Sequence, residues 1–261
     1  MRRSAAVVFL LASGFCASAD PPCVTTPCTD GINSIADCPD EGCTRTEGHQ
    51  FDQGLDELKN IRSDDQQAVV RSIRWMKGLP DPTNMTECAS RDELKQVGEG
   101  QKITVVAWAL TAKKGSPESC NCDLSHQADV DNHIVLVDPS VQNPTLGNEE
   151  CRSVTAEFTP RVRLDHPHFT RVKLNHLIDA NWKASEPTAN GKLLVRVTGL
   201  LMFDSKHFFH PAPPVLRDTN WEIHPVLKLE YCPNDKTCHA DSDENWKNLD
   251  DLNADQASPT P

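Results

Sequence analysis

The spacing of apolar residues changes along this chain. Residues 20–48 are rich in Cys, Asp, Gly, Pro and Thr and show no apolar period, which reads as a small disulfide-tied knob. Within 52–78, Leu55, Leu58 and Ile61 recur at three-residue steps, and Val69, Val70, Ile73 and Met76 form a second stripe. This stretch is expected to be partly helical, with Leu79-Pro80-Asp81-Pro82 stopping any helix. From about 97 to 232 the pattern becomes that of a β domain. Residues 103–110 (ITVVAWAL) are β-branched and aromatic, with Gly98 and Gly100 before them and Lys113-Lys114-Gly115 after them. Residues 133–137 form a second predicted strand. In the third, 154–158, Val154, Ala156 and Phe158 alternate with Thr155 and Glu157. Phe169, Val172, Leu177 and Ile178 favour a helix over 169–178, and 193–202 and 221–230 complete the set. The predicted order is strand, strand, strand, helix, strand, strand.

A five-stranded barrel with a helix between its third and fourth strands is the oligonucleotide/oligosaccharide-binding (OB) architecture. A glycine-led first strand, the helix, a fourth strand reading Val195-Arg196-Val197-Thr198-Gly199 and a last strand ending beside Cys232 carry a likeness. Over residues 97–232 the chain resembles small bacterial exported proteins of the OB class, including the tRNA-anticodon-binding-like type. The resemblance implies a mainly β fold whose binding face involves the second and third strands and the loops at the barrel end. Residue patterns set the domain order around that barrel: an export signal at 1–19, the Cys-rich knob at 20–48, a helical arm at 49–96, the OB-like barrel at 97–232 and an acidic, largely disordered tail at 233–261. OB domains that bind nucleic acid show exposed aromatics and basic residues on those strands, which 133–137 lacks, so nucleic-acid binding does not follow from the fold.

Charge narrows the partners. The 26 Lys+Arg and 38 Asp+Glu leave a formal −12, yet residues 101–232 are close to neutral and no basic block is present. Coating of phosphate backbones needs clustered cations and is not expected. No apolar run after the N-terminus approaches the ~20 residues of a membrane-spanning helix. Met1-Arg2-Arg3, the apolar residues 5–12 and Ala17-Ser18-Ala19 have the parts of a cleaved secretory signal, which places the chain in a periplasmic or secreted compartment, as a monomer. Ten cysteines follow it: Cys23, Cys28, Cys38, Cys43, Cys88, Cys120, Cys122, Cys151, Cys232 and Cys238. An even number in an exported chain argues for up to five disulfides rather than a zinc ribbon at 23–43, and different partners are expected for Cys120 and Cys122. Asn84-Met85-Thr86 fits a glycosylation sequon.

Candidate chemistry lies in short pairs. Asp131-x-His133 opens the second predicted strand, Asp204-x-x-His207 follows the fourth and Glu222-x-His224 lies in the fifth. A carboxylate beside an imidazole can orient a metal-binding His or tune a proton donor. His133, His207 and His224 are candidate metal ligands, and Arg161 and Arg163 candidate anion clamps. Phe208, Phe209 and Trp221 are candidate contact aromatics, with His224 beside them. No nucleophile elbow, phosphate-cradling glycine loop, dinucleotide fingerprint or His-Glu-x-x-His helix is present. The first reading is therefore a noncatalytic binding module for an extracytoplasmic ligand, without a cofactor. The second is a metal-dependent phosphoesterase or nuclease that uses Asp131, His133, Asp204, His207, Glu222 and His224 on a divalent ion.

Overall fold

A computed structural model describes residues 23–82, 85–86, 88–183, 191–207 and 216–252. The expected export signal, the sequon asparagine Asn84, Phe208 and Phe209, and the last residues of the acidic tail lie outside them. The N-terminal arm is only partly helical. Asp52 caps α1 (Gln53–Lys59) by accepting from the Leu55 amide, and the helix ends at Asn60. Val69 and Val70, expected on a helical stripe, instead belong to β1 (Val69–Arg71), where β-branched residues pair in parallel with Ile103 and Thr104. Ser72 then starts α2 (Ile73–Lys77) by accepting from the Trp75 amide, and α3 (Asp92–Val97) leads into the barrel.

Five long strands close that barrel: β2 (Lys102–Lys114), β3 (Asn132–Val137), β4 (Val154–Phe158), β5 (Leu193–Phe203) and β6 (Trp221–Tyr231). Their order is β2-β3-β4-β6-β5, with β5 returning to pair with β2. Neighbours are antiparallel except β4 and β6, which run parallel through Ala156 and Ile223. Short α4 (Leu146–Glu149) lies in the β3–β4 connection, and α5 (Pro160–Asp165) and α6 (Arg171–Ile178) fill the place between β4 and β5. This is the OB-like order expected from the sequence, with the predicted helix over 169–178 present as α6 and a further short helix, α5, before it. Phe169 caps the core by stacking on Phe158, with ring centroids 4.8 Å apart, and α6 begins only after Thr170.

Alternation sorts the strand residues. Ile103, Val105, Ala107 and Ala109 face the interior with Ile134, Leu136, Val154, Ala156, Phe158, Val195, Val197 and Ile223. A register shift between Ala109 and Thr111 changes the phase of β2, so that Ala112 also points inward. Asn175 of α6 closes this end by accepting from the Ala112 amide and donating to the Ala112 carbonyl, each at 2.8 Å. Trp221 also faces inward, fully buried, with its Nε1–H donated to the Pro80 carbonyl. Burying a ring of this size contributes upwards of ~2 kcal/mol, and Trp221 serves as core rather than as a contact platform. Outside the barrel, Trp108, Leu110, Val135, Val137, Leu146, Leu194 and Cys232 form a second apolar cluster. The chain beyond β6 stays on the barrel through β7 (Lys247–Asn248), and Leu249 and Leu252 enter the main core.

Four disulfides join described residues where up to five were expected: Cys23–Cys88, Cys28–Cys43, Cys38–Cys122 and Cys232–Cys238. All four cysteines of 23–43 are thus in bridges. Cys122 pairs as expected with a partner of its own, but Cys120 keeps a buried thiol, 3.9 Å from Glu118 Oε2 in a one-turn helix over Ser119–Asn121. That tight turn aims the two sulfurs differently, so one reaches the knob and the other does not. Cys38–Cys122 closes a long loop, the kind of link that limits the unfolded chain most. No helix of the described residues is long and apolar enough to cross a membrane.

Candidate functional site

The alternation that buries Ala156 and Ile223 turns their polar neighbours to the outer face. Lys113, His133 and Glu157 are successive cross-strand partners on β2, β3 and β4, and the parallel step to β6 sets His224 beside Glu157. His133 Nε2 stands 3.5 Å from Glu157 Oε1, and His224 Nδ1 stands 3.2 Å from Glu157 Oε2. The same Nδ1 lies 3.2 Å from Glu222 Oε1, two positions back on its own strand. Gly199 permits this packing: a Cβ there would come 2.2 Å from the Pro225 carbonyl oxygen and 2.6 Å from Ile223. Gly115 plays a similar part at the start of β3, where a Cβ would meet the Asp131 carbonyl at 2.9 Å and His133 Nε2 at 3.0 Å.

Asp204 enters from the end of β5. One of its carboxylate oxygens accepts from the Lys206 and His207 amides, each at 3.0 Å, which folds the strand end back toward the site. The other lies 2.8 Å from Arg217 Nη2 and 3.4 Å from His207 Nδ1. Arg217 Nη1 reaches Glu222 Oε2 at 3.0 Å, so one guanidinium ties the Asp204 pair to the Glu222 pair. Asp131, in the turn before β3, accepts from Asn121 Nδ2 at 3.1 Å. Donor atoms of Asp131, Glu157 and His224 all lie within 4.8 Å of one another. The fourth wall comes from the N-terminal arm, where Lys59 Nζ meets Glu118 Oε2 at 2.6 Å.

Part of this network lines a pocket of about 290 Å³. Its floor is His133, Val135, Thr155 and Glu157 of β3 and β4; Lys59, Glu118, Asp204, His207 and Arg217 form its walls. Its electrostatics divide it. Burial, with Glu222 and Asp131 close by, pushes the Glu157 carboxyl well above the usual range, and burial raises Asp131 as well. Burial also lowers the His133 imidazole. On the opposite wall burial opposes the charge of Asp204, but His207, Arg217 and Lys59 outweigh it and hold that carboxyl well below the usual range. The Asp204 carboxylate in turn raises His207 above its ordinary value. Glu118 is held at about 2 because Lys59 and His207 overcome its desolvation. One side of the pocket thus holds carboxyls short of positive charge, and the other an imidazole whose protonated form is favoured by Asp204.

Of the three carboxylate–imidazole pairs, His133, Asp204 and His207 line the pocket, while Asp131, Glu222 and His224 lie buried behind it against Glu157 and Arg217. The other candidates do not join them. Arg161 donates to Asp40 Oδ1 and to the carbonyls of Cys38 and Pro39, and so fastens the knob to α5. Arg163 donates to the carbonyls of Phe158, Ala128 and Val130. His166 and His168 meet Asp250 and the Leu249 carbonyl and tether the C-terminal segment. Sequence reasoning passed over four residues of the site: Glu157, Arg217, Lys59 and Glu118. Glu157 carried a signal, since a carboxylate on the outer face of a strand beside His133 becomes its cross-strand partner once β3 and β4 form a hairpin. Lys59 carried none, because only the packing of α1 brings it to the barrel. No protein-family model, curated protein or solved structure matches the chain.

Proposed function

We propose that this protein is an exported hydrolase of the OB-like barrel class that cleaves a small phosphoester with the help of a divalent metal ion. Convergence carries the reading: His133, Asp204 and His207, from separate parts of the sequence, line one pocket, and Asp131, Glu222 and His224 are buried against its lining residues Glu157 and Arg217. A binding module needs only an exposed groove and has no use for so many titratable groups in a desolvated place. The apparent signal at 1–19 and the disulfides support an extracytoplasmic location. At about 290 Å³ the pocket suits a phosphoryl group with a small substituent, and a net −12 disfavours a polynucleotide.

A divalent ion held beside Asp131, Glu157 and His224 would supply a water of lowered pKa and offset charge on the phosphoryl oxygens. Attack of water on phosphorus would break the bond to the leaving oxygen, with the water's proton going to solvent, and His207 is placed to give the leaving oxygen a proton. Asp204 orients that imidazole, and Arg217 keeps Asp204 and Glu222 in place. Purified protein is assayed with p-nitrophenyl phosphate and bis(p-nitrophenyl) phosphate in the presence of Zn²⁺, Mn²⁺ or Mg²⁺. Cleavage that needs the metal and falls ~10²-fold or more in His207→Ala supports the reading. No cleavage by the wild type, or equal cleavage by the variant, overturns it; binding of either ester without turnover returns the pocket to a binding module.

A further inference from the structure

Four ligand-type atoms at or behind this pocket make no hydrogen bond among the described residues: Asp131 Oδ1, Glu157 Oε2, His133 Nε2 and His224 Nε2, of which Glu157 Oε2 stands 3.2 Å from His224 Nδ1 and His133 Nε2 stands 3.5 Å from Glu157 Oε1. Buried polar atoms without a hydrogen bond are costly, and native proteins seldom leave several in one place. His224 is fully buried, Glu157 has a side chain 6 % exposed, and Asp131 is 1 % exposed. Their donor atoms already lie within 4.8 Å of one another. His224 Nδ1 lies 3.2 Å from both Glu222 Oε1 and Glu157 Oε2, so a carboxylate orients the ring while Nε2 makes no hydrogen bond.

We infer that Asp131, Glu157, His133 and His224 form a binding site for one first-row divalent cation of the Zn²⁺ type, with Glu157 as its central ligand and Glu222 orienting His224. Two imidazoles and two carboxylates suit Zn²⁺ rather than Mg²⁺ or Ca²⁺, which favour oxygen throughout. His207 is outside the set, since its Nδ1 faces Asp204. The inference rests on the hydrolase reading for its catalytic meaning, while binding of the ion is measured with no substrate.

The test is titration of metal-stripped protein with Zn²⁺ and, for its visible spectrum, with Co²⁺, alongside metal analysis of the protein as purified. One ion per chain is expected. Glu157→Gln, Asp131→Asn and His224→Gln should each weaken binding at least 100-fold, and His207→Ala should change it less than threefold. If the three buried variants do not fold, as judged by circular dichroism, His133→Gln serves instead, because this imidazole is partly exposed, with at least tenfold weakening expected. Absence of stoichiometric binding, unchanged affinity in the ligand variants, or loss of binding in His207→Ala overturns the assignment. Metal binding without ester cleavage overturns only the hydrolase reading, and cleavage without this binding overturns only the site.

Discussion

Lys59 and Glu118 form an ion pair at 2.6 Å with both side chains about 5 % exposed or less, and through it α1 becomes one wall of the barrel's pocket. Removing one partner strands the other charge in a desolvated place, at a cost of ~3–5 kcal/mol. Lys59→Met should lower unfolding stability by about that amount, and Lys59→Met with Glu118→Leu should recover most of it. Denaturant unfolding of the two single variants and the double variant measures this coupling.

Asp56, one turn before Lys59, is pushed up to about 7 by burial, with Lys59 only partly opposing the shift. A carboxyl raised in the folded state binds its proton more tightly there than in the unfolded chain. Its contribution to stability is therefore full below pH ~4 and is lost as pH rises toward 7, by something of the order of 4 kcal/mol. Asp56→Asn should remove that decline. Melting temperatures of both proteins between pH 4 and 8 would show it, and parallel curves would count against it.

The Asp204–His207 pair predicts the alkaline limb of the rate profile. Asp204 raises His207 above 6.5, so the imidazolium persists to higher pH and activity that needs its proton falls as pH passes through the raised value. Asp204→Asn removes the anion, and the limb should move to lower pH. A limb that stays in place would assign the proton to another group.

Gly199 is predicted to tolerate no side chain. A Cβ would sit 2.2 Å from a backbone oxygen of β6, which cannot rotate away. Gly199→Ala should cost roughly 1–3 kcal/mol through overpacking and weaken the Zn²⁺ site by displacing His224. Chemical denaturation and metal titration of the same sample check both effects.

The barrel was legible because strand character is local. The alternation of Val154, Ala156 and Phe158 with Thr155 and Glu157 states which residues face inward without knowledge of any partner strand. The Glu222–His224 contact was legible for the same reason, since the two are two positions apart on one strand, whereas Asp131 and His133, spaced alike, take other partners, Asn121 and Glu157. Trp221 shows the limit. Its parity relative to Glu222 follows from spacing, but which parity faces the core depends on how β6 lies against β4 and β5. Arg161 was misjudged as an anion clamp for the same kind of reason, because its partners are in the knob, more than a hundred residues earlier.

By itself the sequence determined the succession of the five barrel strands along the chain, the helical interval between β4 and β5, the candidate pairs and a supply of cysteines for covalent links, all properties set by neighbours a few residues apart. Tertiary structure alone decided that Glu157 sits between His133 and His224, that Lys59 and Glu118 wall the pocket, and that Cys120 remains a thiol. Those facts depend on strand register and on the packing of an arm against a barrel, where residues far apart in the chain meet through burial and closure rather than through any local preference.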